Sequence, residues 1–315
     1  MNHEVDHKRT ESSTQALRQF INRQSSSVTI LAALGAVLDA QVSGRPIDPV
    51  LQVRLDEMMN TLGVGDLLEG LRLEDLEPIL AEIRFNMLLE TKLLFQTRRT
   101  LAWEHTETEL LQAGGEVSVG FAQRLTTVVV PHLEGLSQRL GSADGAFLDV
   151  GVGIAGLSIA MARLWPVLNV VGIDPWEPSL TLARQNVDNA GLTNRIQLRE
   201  QSVEDLHDTD AFDLAWIPSA FIPEKVLAVA CERVYRALRP GGWLLFAMAN
   251  PGNEPLSASL VRLRTVLRGG CVLVPEQVEA LLRQSGFADV RTLPSPPDAI
   301  IALVAARRTL AQRAV

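Results

Sequence analysis

The chain is poor in most of the features that would name a class at once. It has two cysteines, Cys231 and Cys271, far apart and without a CxxC pair. That excludes a disulfide framework and a thiolate zinc site, and reads as thiols kept reduced. No Lys/Arg cluster is longer than a pair, and the net charge is -8, so a nucleic-acid partner is not expected. No run of 18 apolar residues occurs, so no membrane span is expected. The opening MNHEVDHKRTESSTQ lacks the apolar core of a signal peptide, which leaves the cytoplasm as the default location. A single tyrosine stands against five tryptophans.

What is present is globular: 315 residues, 47% hydrophobic and 21% charged. That is room for two domains, or for one α/β domain with a helical appendage. Residues 1–25 are polar and read as a disordered or frayed tail. Over 26–115 apolar residues recur at helical spacing, as in Ile30, Leu31, Leu34 and Leu38, then Leu51, Leu55, Met58 and Leu62. Gly44-Arg-Pro46, Gly63-Val-Gly65 and Gly70 punctuate them. This stretch reads as an α-helical cap or dimerisation domain. One long helix is expected over 76–101, leaving room for a homodimer through the N-terminal helices, and Gly114-Gly115 reads as a break.

Residues 116–315 read as the second domain. A helix over about Val117–Leu140 leads into strands and helices alternating at βαβ spacing. Strands are expected at Ala146–Val150, Asn169–Ile173, Ile196–Glu200, Phe212–Ile217 and Trp243–Met248. Helices are expected near Ala155–Leu164, Glu177–Asn189, Glu224–Leu238 and Pro275–Ser285. Arg239-Pro-Gly-Gly242 reads as a tight turn and Asn250–Gly270 as an irregular insert. Two last strands, near Asp289–Leu293 and Ala299–Ala305, close the sheet. The expected fold class is α/β: a Rossmann-like, seven-stranded, mostly parallel sheet with a terminal β-hairpin, plus an N-terminal α-helical domain.

The informative stretch is Phe147-Leu-Asp149-Val-Gly151-Val-Gly153-Ile-Ala-Gly156, followed by Val170-Val-Gly172-Ile-Asp174. An apolar strand enters a glycine-rich turn, a helix follows, and the next strand ends in an acid. Glycines let a ligand approach the backbone, and the acid can accept both ribose hydroxyls. Read as G-x-G-x-x-G alone, the turn would admit a dinucleotide. Asp149, two residues ahead of the first glycine, would repel a diphosphate and suits a ligand carrying an ammonium and a sulfonium. That opposes a nicotinamide dehydrogenase.

From about Val117 to Arg308 the chain resembles the class I S-adenosylmethionine-dependent methyltransferases. Asp149-x-Gly151-x-Gly153 is similar to their first motif and Asp174 to their ribose-binding acid. Phe212-Asp213-Leu resembles the entry to strand 4, and Leu238-Arg-Pro-Gly-Gly242 the turn before strand 5. Ala155 stands at the family's third glycine, with Gly156 one later. After strand 3, Gln201-Ser202 replaces the frequent Gly-Asp. The resemblance implies S-adenosylmethionine as cofactor, either methyl donor or substrate. It implies a site at Asp149, Gly151, Gly153, Gly156, Asp174, Trp176 and Ile217, with Ser202 or the amide of Val203 at the adenine.

Methyl transfer needs an in-line nucleophile, a dry pocket and sometimes a base. The N/D-P-P-Y/F signature of amide and adenine N-methyltransferases is absent; Trp216-Ile-Pro218-Ser219 stands there. No acids occupy that strand end, so no metal is expected. Asp205, Asp208, Asp210 and Asp213 read as a solvated turn. His105 and His132 are isolated; His207, following strand 3, is the best candidate base. Trp176 and Trp216 both belong at the ligand edge of the sheet. An indole there stacks on adenine or sits over the sulfonium, where cation–π attraction reaches about 1–2 kcal/mol. The expected function is a small-molecule methyltransferase of secondary metabolism. One alternative is a cyclase, as in the methyltransferase-like azetidine-2-carboxylate synthases, in which the cofactor's own amino group expels methylthioadenosine. A non-catalytic partner protein is the other, opposed by the intact Asp149, Gly151, Gly153 and Asp174.

Overall fold

A computed structural model describes residues 2–95, 103–295 and 299–309, with the backbone alone over 2–12. The chain forms two compact units, Met1–Met87 and Leu88–Val315.

The first unit is helical: α1 (Asn2–Ser43), α2 (Pro49–Leu62), α3 (Val64–Leu68) and the first part of α4 (Leu73–Phe95). Asp48 caps α2 by accepting from the amides of Val50 and Leu51, and Pro49 supplies a ready-made first turn. Leu38, Leu76 and Leu80 form a small buried core, with Leu34 and Ile83 packed on it. The tail expected over 1–25 is helical from Asn2 onward. Within α1, Ser13–Ser43 is long and apolar enough to cross a membrane by length and composition, with hydropathy 1.4. It contains no uninterrupted apolar run because Ser, Thr and Gln interleave. Their mean stays apolar, since Asp39 is the lone charge after Arg23. The helix expected over 76–101 runs as α4 to Phe95; residues 96–102 lie outside the described ones.

The second unit carries the sheet, ordered β3-β2-β1-β4-β5-β7-β6. Its strands are β1 (Ala146–Val150), β2 (Asn169–Asp174), β3 (Ile196–Glu200), β4 (Phe212–Pro218), β5 (Leu238–Ala249), β6 (Ala288–Thr292) and β7 (Ile301–Arg307). β1 to β5 run parallel, and β7 is antiparallel to both β5 and β6. Alternation along each strand feeds two cores. Phe147, Leu214, Trp216 and Leu245 pack on one face with Leu157 and Met161 of α7 (Gly156–Leu164). Leu148, Val150, Ala215 and Ile217 face Leu227 and Val234 of α9 (Glu224–Ala237) and Val278 and Leu282 of α11 (Pro275–Gln284). The helix after β2, α8, spans Glu177–Asn189.

Gly114-Gly115 is not a break. It lies inside α5 (Thr108–Arg124), where a Cβ on Gly115 would stand 1.9 Å from the Ile154 side chain. A Cβ on Gly156 would stand 2.3 Å from the Gly115 carbonyl oxygen. The glycines let α5 approach the start of α7, and α5 packs within the unit Leu88–Val315. The helix expected to Leu140 stops at Arg124. A π turn (Leu125–Val129) and a 3-10 turn (Val130–His132) precede α6 (Leu136–Leu140), because Pro131 lacks the amide a continuous helix needs. The insert Asn250–Gly270 contains a further helix, α10 (Pro255–Leu267), whose first turn Glu254 caps at Ser257. Its Leu256, Leu260 and Leu263 stay exposed, so no buried stripe marks it in the sequence. Arg239–Gly242 is drawn into β5, with a register shift between Phe212 and Leu214.

The acids before and within β4 also divide. Asp208 pairs with Arg199 at 2.9 Å, Asp210 with Arg308 at 2.5 Å, and Asp205 accepts from Ser202 at 2.7 Å. Asp213 is no part of a solvated turn. It is 2% exposed and binds Arg139, Arg239 and the amide of Ala146.

Candidate active site

The turn after β1 is built from three left-handed residues: Gly151 (φ 67°), Gly153 (φ 55°) and Ala155 (φ 68°). Two are glycines, which reach that region without strain. Ala155 holds it at a cost of roughly 1–2 kcal/mol. The amides of Gly151 and Val152 donate to the Ile173 carbonyl at 2.8 and 3.0 Å, tying the turn to the end of β2. There Asp174 accepts from Gly153 N at 2.9 Å through Oδ2 and from Trp176 N at 2.8 Å through Oδ1. Each oxygen keeps a further lone pair, so an oriented carboxylate remains able to accept two adjacent hydroxyls. Burial raises its pKa, and the two amides oppose that rise.

Asp149 lies in β1, 2% exposed, and accepts from the Ser158 hydroxyl of α7 at 2.6 Å. Burial pushes its carboxyl up to about 7; the Ser158 bond opposes this and the Asp174 charge adds to it. Two acids held this close, one of them half-protonated near neutrality, fit a cationic ligand that also carries a ribose. A diphosphate fits neither. The unfolded carboxyl titrates near ~4, so the folded state takes up a proton between that value and about 7. Stability therefore falls as pH rises through this window, and the ionised acid is a standing cost above it. Asp149→Asn should make the ligand-free protein more stable than the parent by about 4 kcal/mol at pH 8 and by nothing at pH 4. Urea unfolding at both pH values measures it; a difference that does not change with pH contradicts the assignment.

The other expected site residues separate. Trp176 is half-buried at the start of α8, and its Nε1 donates to the His105 carbonyl at 2.6 Å, which fixes the indole beside Asp174. Trp216 is 5% exposed, opposite Asp149 in register, and packs against Phe121 of α5 at 6.1 Å between ring centroids. Its ring belongs to the core beneath the turn. Ile217 points into the opposite core. Gly156 serves the α5 contact. The Ser202 hydroxyl is taken by Asp205, and Val203 packs in the core as the next turn begins. Gln201 N donates to the Asp174 carbonyl at 3.1 Å, which brings that loop to the ribose acid. His207 is exposed and 3.4 Å from Arg233 of α9, not in a dry site.

The sequence ranks His105 below His207 and does not mark Trp103; both His105 and Trp103 precede α5. The His105 side chain is 8% exposed. Its ring meets Trp103 edge-on at 4.8 Å, and Trp103 meets Phe221, just after β4, at 5.1 Å. No spacing rule signals these residues, because their place depends on a loop folding over the sheet edge.

A methyltransferase domain family matches residues 147–242. The S-adenosyl-L-methionine-dependent methyl transferase PigF of a Serratia species is 28% identical over 184 residues, 55% of this chain and 52% of its own. The release factor glutamine methyltransferase of Chlorobaculum tepidum is 33% identical over 175 residues, 53% and 56% of the two chains. The chain thus spans about half the length of these curated relatives. In fold it is similar to an O-methyltransferase family protein from Burkholderia thailandensis, with TM-score 0.62, 14% identity, and 95% and 98% of the two chains covered. Human N-acetylserotonin methyltransferase, solved with S-adenosylmethionine, gives TM-score 0.56 at 17% identity over 92% and 97%. With the Asp149–Gly153 turn and the Asp174 carboxylate in place on that sheet, residues 147–242 match a methyltransferase domain, and the sheet is similar in fold to those of solved methyltransferases.

Proposed function

We propose that the protein methylates a small molecule, in secondary metabolism and in the cytoplasm. The observation that carries this is the Asp174 carboxylate, held by the amides of Gly153 and Trp176 beside the buried Asp149. When bound, S-adenosylmethionine supplies an electrophilic methyl on a sulfonium. Asp174 binds the ribose hydroxyls, and Asp149 favours the cationic end of the ligand. Trp176, Trp103 and Phe221 set half-buried aromatic rings at the residues that follow β2 and β4. The residues at the end of β4, Trp216-Ile217-Pro218-Ser219, lack the Pro-Pro signature of amide methylation, so the release-factor relative's glutamine acceptor does not transfer here.

The fixed indole of Trp176 also favours a second reading, cyclisation of S-adenosylmethionine itself, because a ring held at the ribose acid can face the sulfonium. One incubation separates the two. Purified protein with S-adenosylmethionine alone is expected to leave it intact, and S-adenosylhomocysteine should accumulate only when a metabolite extract is added. Methylthioadenosine with azetidine-2-carboxylate from the cofactor alone, read by mass spectrometry, would replace methyl transfer by cyclisation.

A further inference from the structure

Resting on the methyl-transfer reading, we propose that His105 is the proton acceptor of the transfer site, and that the acceptor is an aromatic molecule carrying a hydroxyl. His105 reaches the site from two sides. Its carbonyl holds the Trp176 indole after β2, and its ring meets Trp103, which meets Phe221 after β4. In the sheet order β1 lies between β2 and β4. The His105 segment is thereby tied to residues that follow the two strands flanking β1 and its glycine turn.

The imidazole is prepared on one nitrogen and left open on the other. Nδ1 stands 3.9 Å from Glu107 Oε2, and Glu107 is held by Lys92. A carboxylate on that side keeps the proton on Nδ1 and the lone pair on Nε2. Nε2 is buried and, among the described residues, has no hydrogen-bond partner. Leaving such an acceptor unpaired costs about 1–3 kcal/mol, and buried polar atoms are otherwise nearly always paired. A donor from a bound molecule removes that cost. Burial holds the His105 pKa below its ordinary value; Glu107 opposes this and Lys92 adds to it, so the ring is neutral at pH 7.

The surroundings select the donor. Trp103, Trp176 and Phe221 present flat apolar walls, and the Arg268 guanidinium lies 5.9 Å from the Phe221 centroid. Flat apolar walls beside a neutral acceptor nitrogen fit a neutral aromatic hydroxyl. In the step, the hydroxyl oxygen bonds to the methyl carbon as the carbon–sulfur bond breaks with its electron pair to sulfur. The hydroxyl proton passes to Nε2 and then to solvent.

The test uses the full chain labelled with 15N-histidine and saturated with S-adenosylhomocysteine, with phenol as probe. The His105 resonances should show the Nδ1-protonated form with a pKa below 6.5, and phenol should move the Nε2 signal. His105→Gln should weaken phenol binding at least fivefold while the S-adenosylhomocysteine Kd changes less than threefold. Glu107→Gln, which removes a positioning group, should redistribute the tautomers. In the reaction found by the incubation above, His105→Gln should lower kcat about 100-fold and abolish the acidic limb of its pH profile. An Nε2-protonated ring, or an Nε2 signal that phenol leaves unmoved, overturns the assignment. Failure of S-adenosylhomocysteine to bind the parent would instead overturn the broader reading. Turnover of S-adenosylmethionine alone with the same His105 dependence would make the cofactor's own amino group the proton source and overturn the aromatic acceptor.

Discussion

Asp174→Ala is expected to weaken S-adenosylmethionine binding by about 100- to 1000-fold. Each hydrogen bond from a hydroxyl to a buried carboxylate is worth about 1.5–3 kcal/mol, and the arrangement offers two. The substitution also strips the amides of Gly153 and Trp176 of their acceptor. The glycine turn then loses one of its ties to β2, although the bonds from Gly151 and Val152 to the Ile173 carbonyl remain. The fold should therefore survive while the site fails. Titration calorimetry with S-adenosylmethionine and thermal unfolding without it measure the two parts. A Kd within threefold of the parent in a folded variant would mean that the ribose is held elsewhere.

Asp213→Ala should do the reverse: lower stability by about 3 kcal/mol and leave cofactor affinity unchanged. Asp213 is 2% exposed at the start of β4, opposite in the strand to the ligand edge. Its Oδ1 accepts from Arg139 at 3.1 Å; its Oδ2 accepts from Arg239 at 2.5 Å and from Ala146 N at 3.1 Å. Removing one partner from a buried ionic cluster costs about 3–5 kcal/mol. The guanidiniums keep 31% and 29% exposure, so water screens them and the lower end applies. Arg139 also donates to the Pro240 carbonyl at 3.0 Å and Arg239 to the Asp144 carbonyl at 2.9 Å. The acid thus joins β1, β4 and the β4–β5 turn. A loss under 1 kcal/mol in urea unfolding, or a loss of affinity at unchanged stability, would refute this role.

These two acids show what could be read from the chain and what could not. Asp174 ends an apolar strand at a fixed distance behind a glycine turn, so local order alone marks it. The same holds for the strands that begin at Ala146, Asn169 and Ile196, where the residues in each strand alternate between two cores. Asp213 belongs to a motif that is visible in sequence, yet it stands near three other acids and reads as one more solvated charge. Only the approach of Arg139 and Arg239, 74 and 26 residues away, makes it structural. Gly115 and Gly156 read as a break and a ligand contact for the same reason: a glycine's missing Cβ has meaning only when its neighbour in space is known. His105 is the strongest such case, since its Nε2, unpaired among the described residues, and its ties to Trp176 and Trp103 come from a loop that no periodicity describes.

By itself, then, the sequence determined the α/β order, the glycine turn and the two acids around it, because those depend on residues within one βαβ unit. Tertiary structure alone decided which tryptophan is fixed beside Asp174 and which enters the core, which aspartate is buried, and which histidine keeps a buried nitrogen unpaired among the described residues. Each of those depends on desolvation and on partners far along the chain, and burial is a property of the packed molecule rather than of any segment.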